Sequence, residues 1–204
     1  MVRKTPQNRN QILISIREKY ITMKTSEVTT RTKWVIDPML SEILFKVRHL
    51  MISNVKGEFR KFNGEIDGDD FTQSDISVNI DASSIFTNED GRDNHLRSAD
   101  FFDVENYPEL TFRGISLEKV GRENYKLNGL LTIKGIANEI TLDAEFGGIN
   151  KDPLGNEKAG FSLSGTINRK YFGLTWNAAL ETGGVLVGDE VKISAEIQFV
   201  KRAA

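Results

Sequence analysis

The chain has no cysteine in its 204 residues. Disulfide frameworks, thiol catalysis and thiolate metal sites are therefore excluded, and a reducing compartment is permitted without being required. Histidine is nearly as scarce. His49 and His95 leave little room for a histidine-rich zinc or copper centre. No apolar run reaches the roughly 18 residues that a membrane-spanning helix needs. A catalytic constellation is lacking too. Gly160-Phe-Ser-Leu-Ser-Gly165 does not have the spacing of a nucleophile elbow, and no glycine-rich phosphate loop precedes a helix. Asp90, Asp93, Asp100 and Asp103 lack the regular spacing of a calcium loop and read as a solvated charged face.

The charge that is present is unevenly spread. The formal net charge is −2, yet residues 1–24 carry six basic residues against Glu18 alone, a net of +5 that leaves −7 for the remainder. An acidic body argues against a nucleic-acid partner, which needs a basic surface to displace counterions. The basic leader reads several ways. As a signal peptide, Ile12-Leu-Ile-Ser-Ile16 is shorter than the roughly 7–15 residues of an apolar core, and no small-residue cleavage site follows. As a surface-seeking helix, it places Ile12, Ile16, Tyr20 and Met23 near one narrow face. It also reads as an over-extended start, with translation beginning at Met23, or as a disordered tail. Residues 1–30 are accordingly expected to be a tail and residues 31–204 a single globular domain. An internal start makes a cytoplasmic location the default.

From Trp34 onward, apolar and polar residues alternate with period 2, the signature of strands with one buried face. Candidate strands run through Trp34-Val-Ile36, Ile43-Leu-Phe-Lys-Val47, Phe62/Gly64/Ile66, Ile76/Val78/Ile80 and Leu110/Phe112. Further ones carry Ile115/Leu117, Tyr125 to Ile133, Ile140 to Phe146, Phe161 to Ile167 and Val191 to Phe199. Phe59 falls out of phase, which predicts a bulge near Arg60-Lys61, and the phase slips again at Gly114. Lys134-Gly-Ile-Ala-Asn138 reads as a hairpin. The expected fold is all-β, an antiparallel barrel of about eight to nine strands. Long strands whose inward faces mix Gly and Ala with Phe and Leu prefer a barrel to a sandwich. Helical signal is confined to residues 90–102.

Residues 95–112 interrupt this pattern with charges, the pair Phe101-Phe102 and Pro108, and then open onto a strand. Together with other segments, they carry a resemblance. His49-Leu-Met-Ile-Ser-Asn-Val-Lys-Gly-Glu-Phe59 with Phe62-Asn-Gly-Glu-Ile66 resembles the first signature of the YceI-like family, and the 95–112 island resembles its second. Gly129-Leu-Leu-Thr-Ile-Lys-Gly-Ile136 with Ile140-Thr-Leu142 is similar to the third, and Ile167-Asn-Arg-Lys-Tyr-Phe-Gly-Leu-Thr-Trp176 to the fourth. The motifs stand in the family's order from about Trp34 to Val200. The resemblance implies a lipocalin-like barrel holding a long amphiphile, such as a polyisoprenoid, an isoprenoid quinone or a fatty-acid-derived lipid. It also keeps a periplasmic location open, because many members are exported.

The candidate tunnel wall is Phe62, Ile66, Phe112, Leu131, Ile133, Phe146, Phe161, Leu163 and Ile167. These residues would equally fill a solid core, a choice that periodicity leaves open. Arg169, which stands where the fourth motif has its arginine, is a candidate for a phosphate or other head group through its planar fork. Alternatively, it pairs with Asp100 or Asp103 and latches the island. His49 is a hydrogen-bonded turn residue or stands near the entrance, and His95 reads as a solvated or capping residue. Phe101 and Phe102 plug a barrel end or act as a lid. Trp176 lines the far side or anchors the core. The expected function is non-enzymatic binding of an isoprenoid or acyl lipid, as carrier or store, without cofactor or metal. Transient membrane contact and a homodimer are compatible with it. The rivals are a lipid-modifying enzyme in the same pocket and a solid-core stress-response protein.

Overall fold

The computed structural model describes residues 32–179 and 184–202. The basic leader and the suggested start at Met23 lie outside the described residues. Eleven strands form one antiparallel sheet: β1 (Lys33–Ile36), β2 (Glu42–His49), β3 (Ser53–Phe59), β4 (Phe62–Asp67), β5 (Asp75–Asp81), β6 (Ile85–Phe86), β7 (Glu109–Lys119), β8 (Asn124–Ile133), β9 (Ile136–Lys151), β10 (Glu157–Asn168) and β11 (Val187–Arg202). The α-helix α1 (Asp90–Arg97) and short 3-10 turns at Ala82–Ser84 and Arg169–Phe172 complete the described chain.

The order β1-β4-β5-β7-β8-β9-β10-β11, with β1 paired again to β11, closes a barrel of eight strands. Eleven elements make eight strands because three of them are broken. β11 is long enough to pair with β2 through its first half and with β1 through its last residues. β1 and β2 are thus two pieces of one bent strand, as are β3 and β4. The out-of-phase Phe59 has its cause here: the chain leaves the strand at Arg60 and Lys61 rather than bulging within it.

The phase slip at Gly114 is a bulge. Gly114 pairs with Gly129 and Ser116 with Asn128, so Ile115 is the extra residue, and it is 61% exposed. The hairpin at Lys134-Gly135 has positive φ at both residues, 51° and 73°, the pair that two-residue hairpins require. Helix α1 is held by its N-cap. The carboxylate of Glu89 accepts from the amides of Gly91 and Arg92, and Asp90 and Asp93 place negative charge in the first turn. The island's helical part therefore ends at Arg97, and residues 98–108 continue it as turns. It covers the end of the barrel where β6 has left β5 and only two residues pair with β3.

Candidate functional site

Alternation turns one face of every strand inward, and inside the barrel these faces do not meet. They enclose a cavity of about 220 Å³ lined by Ile, Leu, Val, Phe and Ala side chains, with Arg169 as the one polar residue lining it among the described residues. Leu127, Leu131 and Ile133 of β8 all face it. At about 3.3 Å per residue, the wall is roughly 20 Å long. The solid-core alternative is thereby set aside.

Aromatic rings stopper both ends. At one end, Phe71, in the loop between β4 and β5, sits 5.3–5.6 Å from the rings of Trp34, Phe146 and Phe161. At the other end, Phe102 meets Phe59 edge-on at 5.8 Å, and Phe59 lies against Phe45. Beside them, Phe101 packs on Trp176 at 5.2 Å, while His95 stands edge-on to both.

Arg169 opens the 3-10 turn after β10, and its side chain is 3% exposed. Its guanidinium donates to the carbonyls of Gly188 (2.9 Å), Trp176 (2.9 Å), Val187 (3.3 Å) and Leu174. Asp189 lies 3.7 Å away. Burial pulls the Arg169 pKa below its ordinary value, and the Asp189 carboxylate works against that shift. With Nε, Nη1 and Nη2 all donating to the chain, Arg169 has no free fork for a head group. It clasps the two ends of the connection between β10 and β11.

Arg169 does not latch the 95–112 island: its partners are the carbonyls of Leu174, Trp176, Val187 and Gly188, and neither Asp100 nor Asp103 is among them. Asp100 bonds the His95 ring at 2.9 Å, and Asp103 accepts from the side chain of Asn106. Position explains the difference, because the 3-10 turn after β10 sets Arg169 against the start of β11, where carbonyls and Asp189 are within reach.

Of the expected wall, Ile66, Phe112, Leu131, Ile133, Phe161, Leu163 and Ile167 line the cavity, as do Phe101, Phe102 and Arg169. Four residues do not. Phe62 follows the break at Arg60-Lys61 and packs against the core from there. Phe146 belongs to the stopper, 4.9 Å from Phe161. Trp176 is half-buried and backs Phe101 from outside, so it is neither a wall nor a fully buried anchor. His49 ends β2 at the hairpin turn, where its carbonyl accepts from the Ile52 amide. Its cross-strand partner Val187 is the residue that reaches the cavity.

Sequence reasoning missed Phe71 and the role of His95. A lone Phe within Asp-Gly-Asp-Asp-Phe-Thr-Gln-Ser was the available signal for the first, since a polar loop has no local use for an aromatic ring. Among the described residues, no group of three or more His, Cys, Asp or Glu gathers closely enough to hold a metal ion. None of their helices is long and apolar enough to cross a membrane.

A YceI-like domain model matches residues 34–199. A UPF0312 protein of Staphylococcus epidermidis is 46% identical over 171 residues, which cover 82% of this chain and 97% of that protein. The crystal structure of a Campylobacter jejuni YceI protein is 38% identical with a TM-score of 0.66, covering 76% of this chain and 89% of that one. A polyisoprenoid binding domain from Saccharophagus degradans shares the fold at 15% identity, with a TM-score of 0.66 over 83% of this chain and 98% of that one.

Proposed function

The chain belongs to the YceI-like family, and from that premise we propose that its barrel binds the apolar tail of a lipid, as carrier or store. Residues 31–204 act as the binding domain. The observation that carries this reading is the cavity, whose wall is apolar apart from an arginine already occupied by backbone carbonyls. Such a wall offers burial and no polar chemistry. Each methylene taken out of water contributes about 0.8 kcal/mol, so a tail of about ten carbons gains on the order of 8 kcal/mol before ordering costs.

The cavity also sets a size. Its 220 Å³ exceeds the roughly 150 Å³ that admits benzene and falls short of the roughly 300 Å³ where pockets for drug-sized ligands begin. A slender single tail fits as built, whereas a long polyprenyl chain requires lining side chains to change rotamer. The polyisoprenoid binding of the Saccharophagus degradans domain makes a prenyl chain the first choice of probe. The head group stays at a barrel end, because nothing along the wall would solvate it.

Native mass spectrometry after gentle purification, followed by titration with farnesol, geranylgeraniol and decanoic acid, tests the reading. Binding at a hundred times Kd raises stability by about 2.7 kcal/mol, seen as a higher Tm. Leu131→Trp, which fills the middle of the tunnel, is expected to abolish both the mass adduct and the Tm shift while leaving the β-sheet circular dichroism intact. A barrel that is empty as isolated and takes none of the probes would refute lipid binding.

A further inference from the structure

The β2–β3 turn is built against its own backbone preference. Leu50 and Met51, the central residues of the turn closed by the Ile52 amide on the His49 carbonyl, have φ of 51° and 59°. Two consecutive left-handed residues are the place for Asn-Gly, and a bulky side chain there is strained. The strain gains little packing, because Met51 and Ile52 are 52% and 79% exposed and even Leu50 remains 37% exposed. Three consecutive exposed apolar residues at a hairpin tip are a fault unless something outside uses them. Val185, 38% exposed on the neighbouring segment, extends the patch, and the Leu50 amide is fastened there to the Leu186 carbonyl.

Directly beneath the tip, the barrel's exterior is basic. Arg48 reaches up to the Met51 carbonyl at 3.0 Å. Lys192 of β11, Lys46 of β2 and Lys56 of β3 are direct cross-strand partners in one row. Like charges opposite one another weaken a sheet, yet among the described residues none of these three lysines is in an ion pair. The nearby acids offset them little. Asp189 is held by Lys170 at 2.9 Å, Glu58 by Arg60 at 2.6 Å and Asp143, which lines the same groove, by Lys126, which leaves Glu190. This row stands on a body whose net charge is negative.

We infer that the tip is a membrane-docking element: Leu50, Met51 and Ile52 enter the headgroup layer of an anionic bilayer while Lys46, Arg48, Lys56 and Lys192 meet its phosphates. An apolar point above a cationic collar is what such an interface selects. The tip also stands at one end of the cavity, since Val187, the partner of His49, is a lining residue. Docking there brings the cavity's end to the bilayer. The inference goes beyond the lipid-binding reading and uses only exterior residues, so either can fail alone.

The test is flotation of the full chain with vesicles of phosphatidylcholine containing about one third phosphatidylglycerol, at low and high salt. The wild type is expected to float with these vesicles, less so in high salt, and not with pure phosphatidylcholine. The double variant Leu50→Asn/Met51→Gly places turn-compatible residues at the tip. It is expected to lose flotation while its Tm rises by roughly 3 °C or more and the prenyl probe is retained. Lys56→Gln and Lys192→Gln are each expected to weaken binding about fivefold. A wild type that does not float, or a double variant that floats as well, overturns the proposal. So does a wild-type dimer that the double variant dissolves without any vesicle binding in either form, since the tip would then be a contact between copies of this chain.

Discussion

A buried guanidinium at position 169 ties irregular backbone after the 3-10 turn to the first residues of β11. Leu174, Trp176, Val187 and Gly188 flank the connection between β10 and β11, and their carbonyls converge on one side chain. Each buried carbonyl left without a donor costs about 1–3 kcal/mol. A lysine has three donors on a compact ammonium and lacks the planar fork needed to span four such acceptors. Arg169→Lys is therefore expected to destabilise the protein by about 3 kcal/mol, measured by urea unfolding monitored through tryptophan fluorescence, while prenyl-probe affinity changes little. A large loss of affinity at unchanged stability would instead return Arg169 to a head-group role. The sequence marked Arg169 through its place in Asn168-Arg-Lys170. Its acceptors were illegible, because they are backbone atoms brought round by tertiary structure.

Among the elements, the inward glycines explain how strands rich in Phe and Leu still leave a tunnel. Gly129 of β8 lies beneath the ring of Phe112 from β7, and a Cβ there would stand 2.2 Å from the ring. Gly57 lies in the same way beneath Phe45, its partner across β2 and β3. Each large side chain lies flat over a neighbouring strand's glycine instead of reaching across the barrel. Gly129→Ala is expected to lift the Phe112 ring into the cavity. Overpacking of this kind costs about 1–3 kcal/mol, visible in thermal unfolding, and probe binding should weaken in parallel. Adding Phe112→Leu should recover part of both, and the absence of any recovery would separate the two residues. The mixture of Gly with Phe was legible in the sequence as a barrel marker. Which ring covers which glycine depends on register, and the breaks at residues 37–41 and 60–61 with the bulge at Ile115 set that register.

For the whole molecule, closure depends on β1, whose four residues pair with β11 and whose first three also pair with β4. Next to it, Lys158 at the start of β10 reaches across β11 to Asp37 at 2.8 Å, with both side chains about four-fifths buried. The hydrogen bond from Lys158 holds the Asp37 carboxyl below its ordinary pKa, although burial opposes it. A carboxyl depressed in the folded state contributes stability in full above its unfolded value of about 3.9, and that contribution is lost as pH falls through the folded value. The stability gap between wild type and Lys158→Met should thus be constant from about pH 5 to pH 7 and shrink below about pH 4. Chemical unfolding at a series of pH values measures it. A gap that persisted at low pH would mean the lysine acts through its packing.

The sequence by itself determined an antiparallel strand pattern that favours a barrel and, at most positions, which side chains face inward. Side-chain direction alternates with residue number, so a strand carries its own record of burial. That is why Ile66, Phe112, Leu131, Ile133, Phe161, Leu163 and Ile167 were legible, and why Phe62 and Phe146, equally in phase, were placed with them. Only the tertiary structure decided that the interior is open. A void is a difference between the space that eight strands enclose and the volume of side chains drawn from all of them. Phe71 and Phe102, neither on a strand, stop its two ends from outside any periodic pattern.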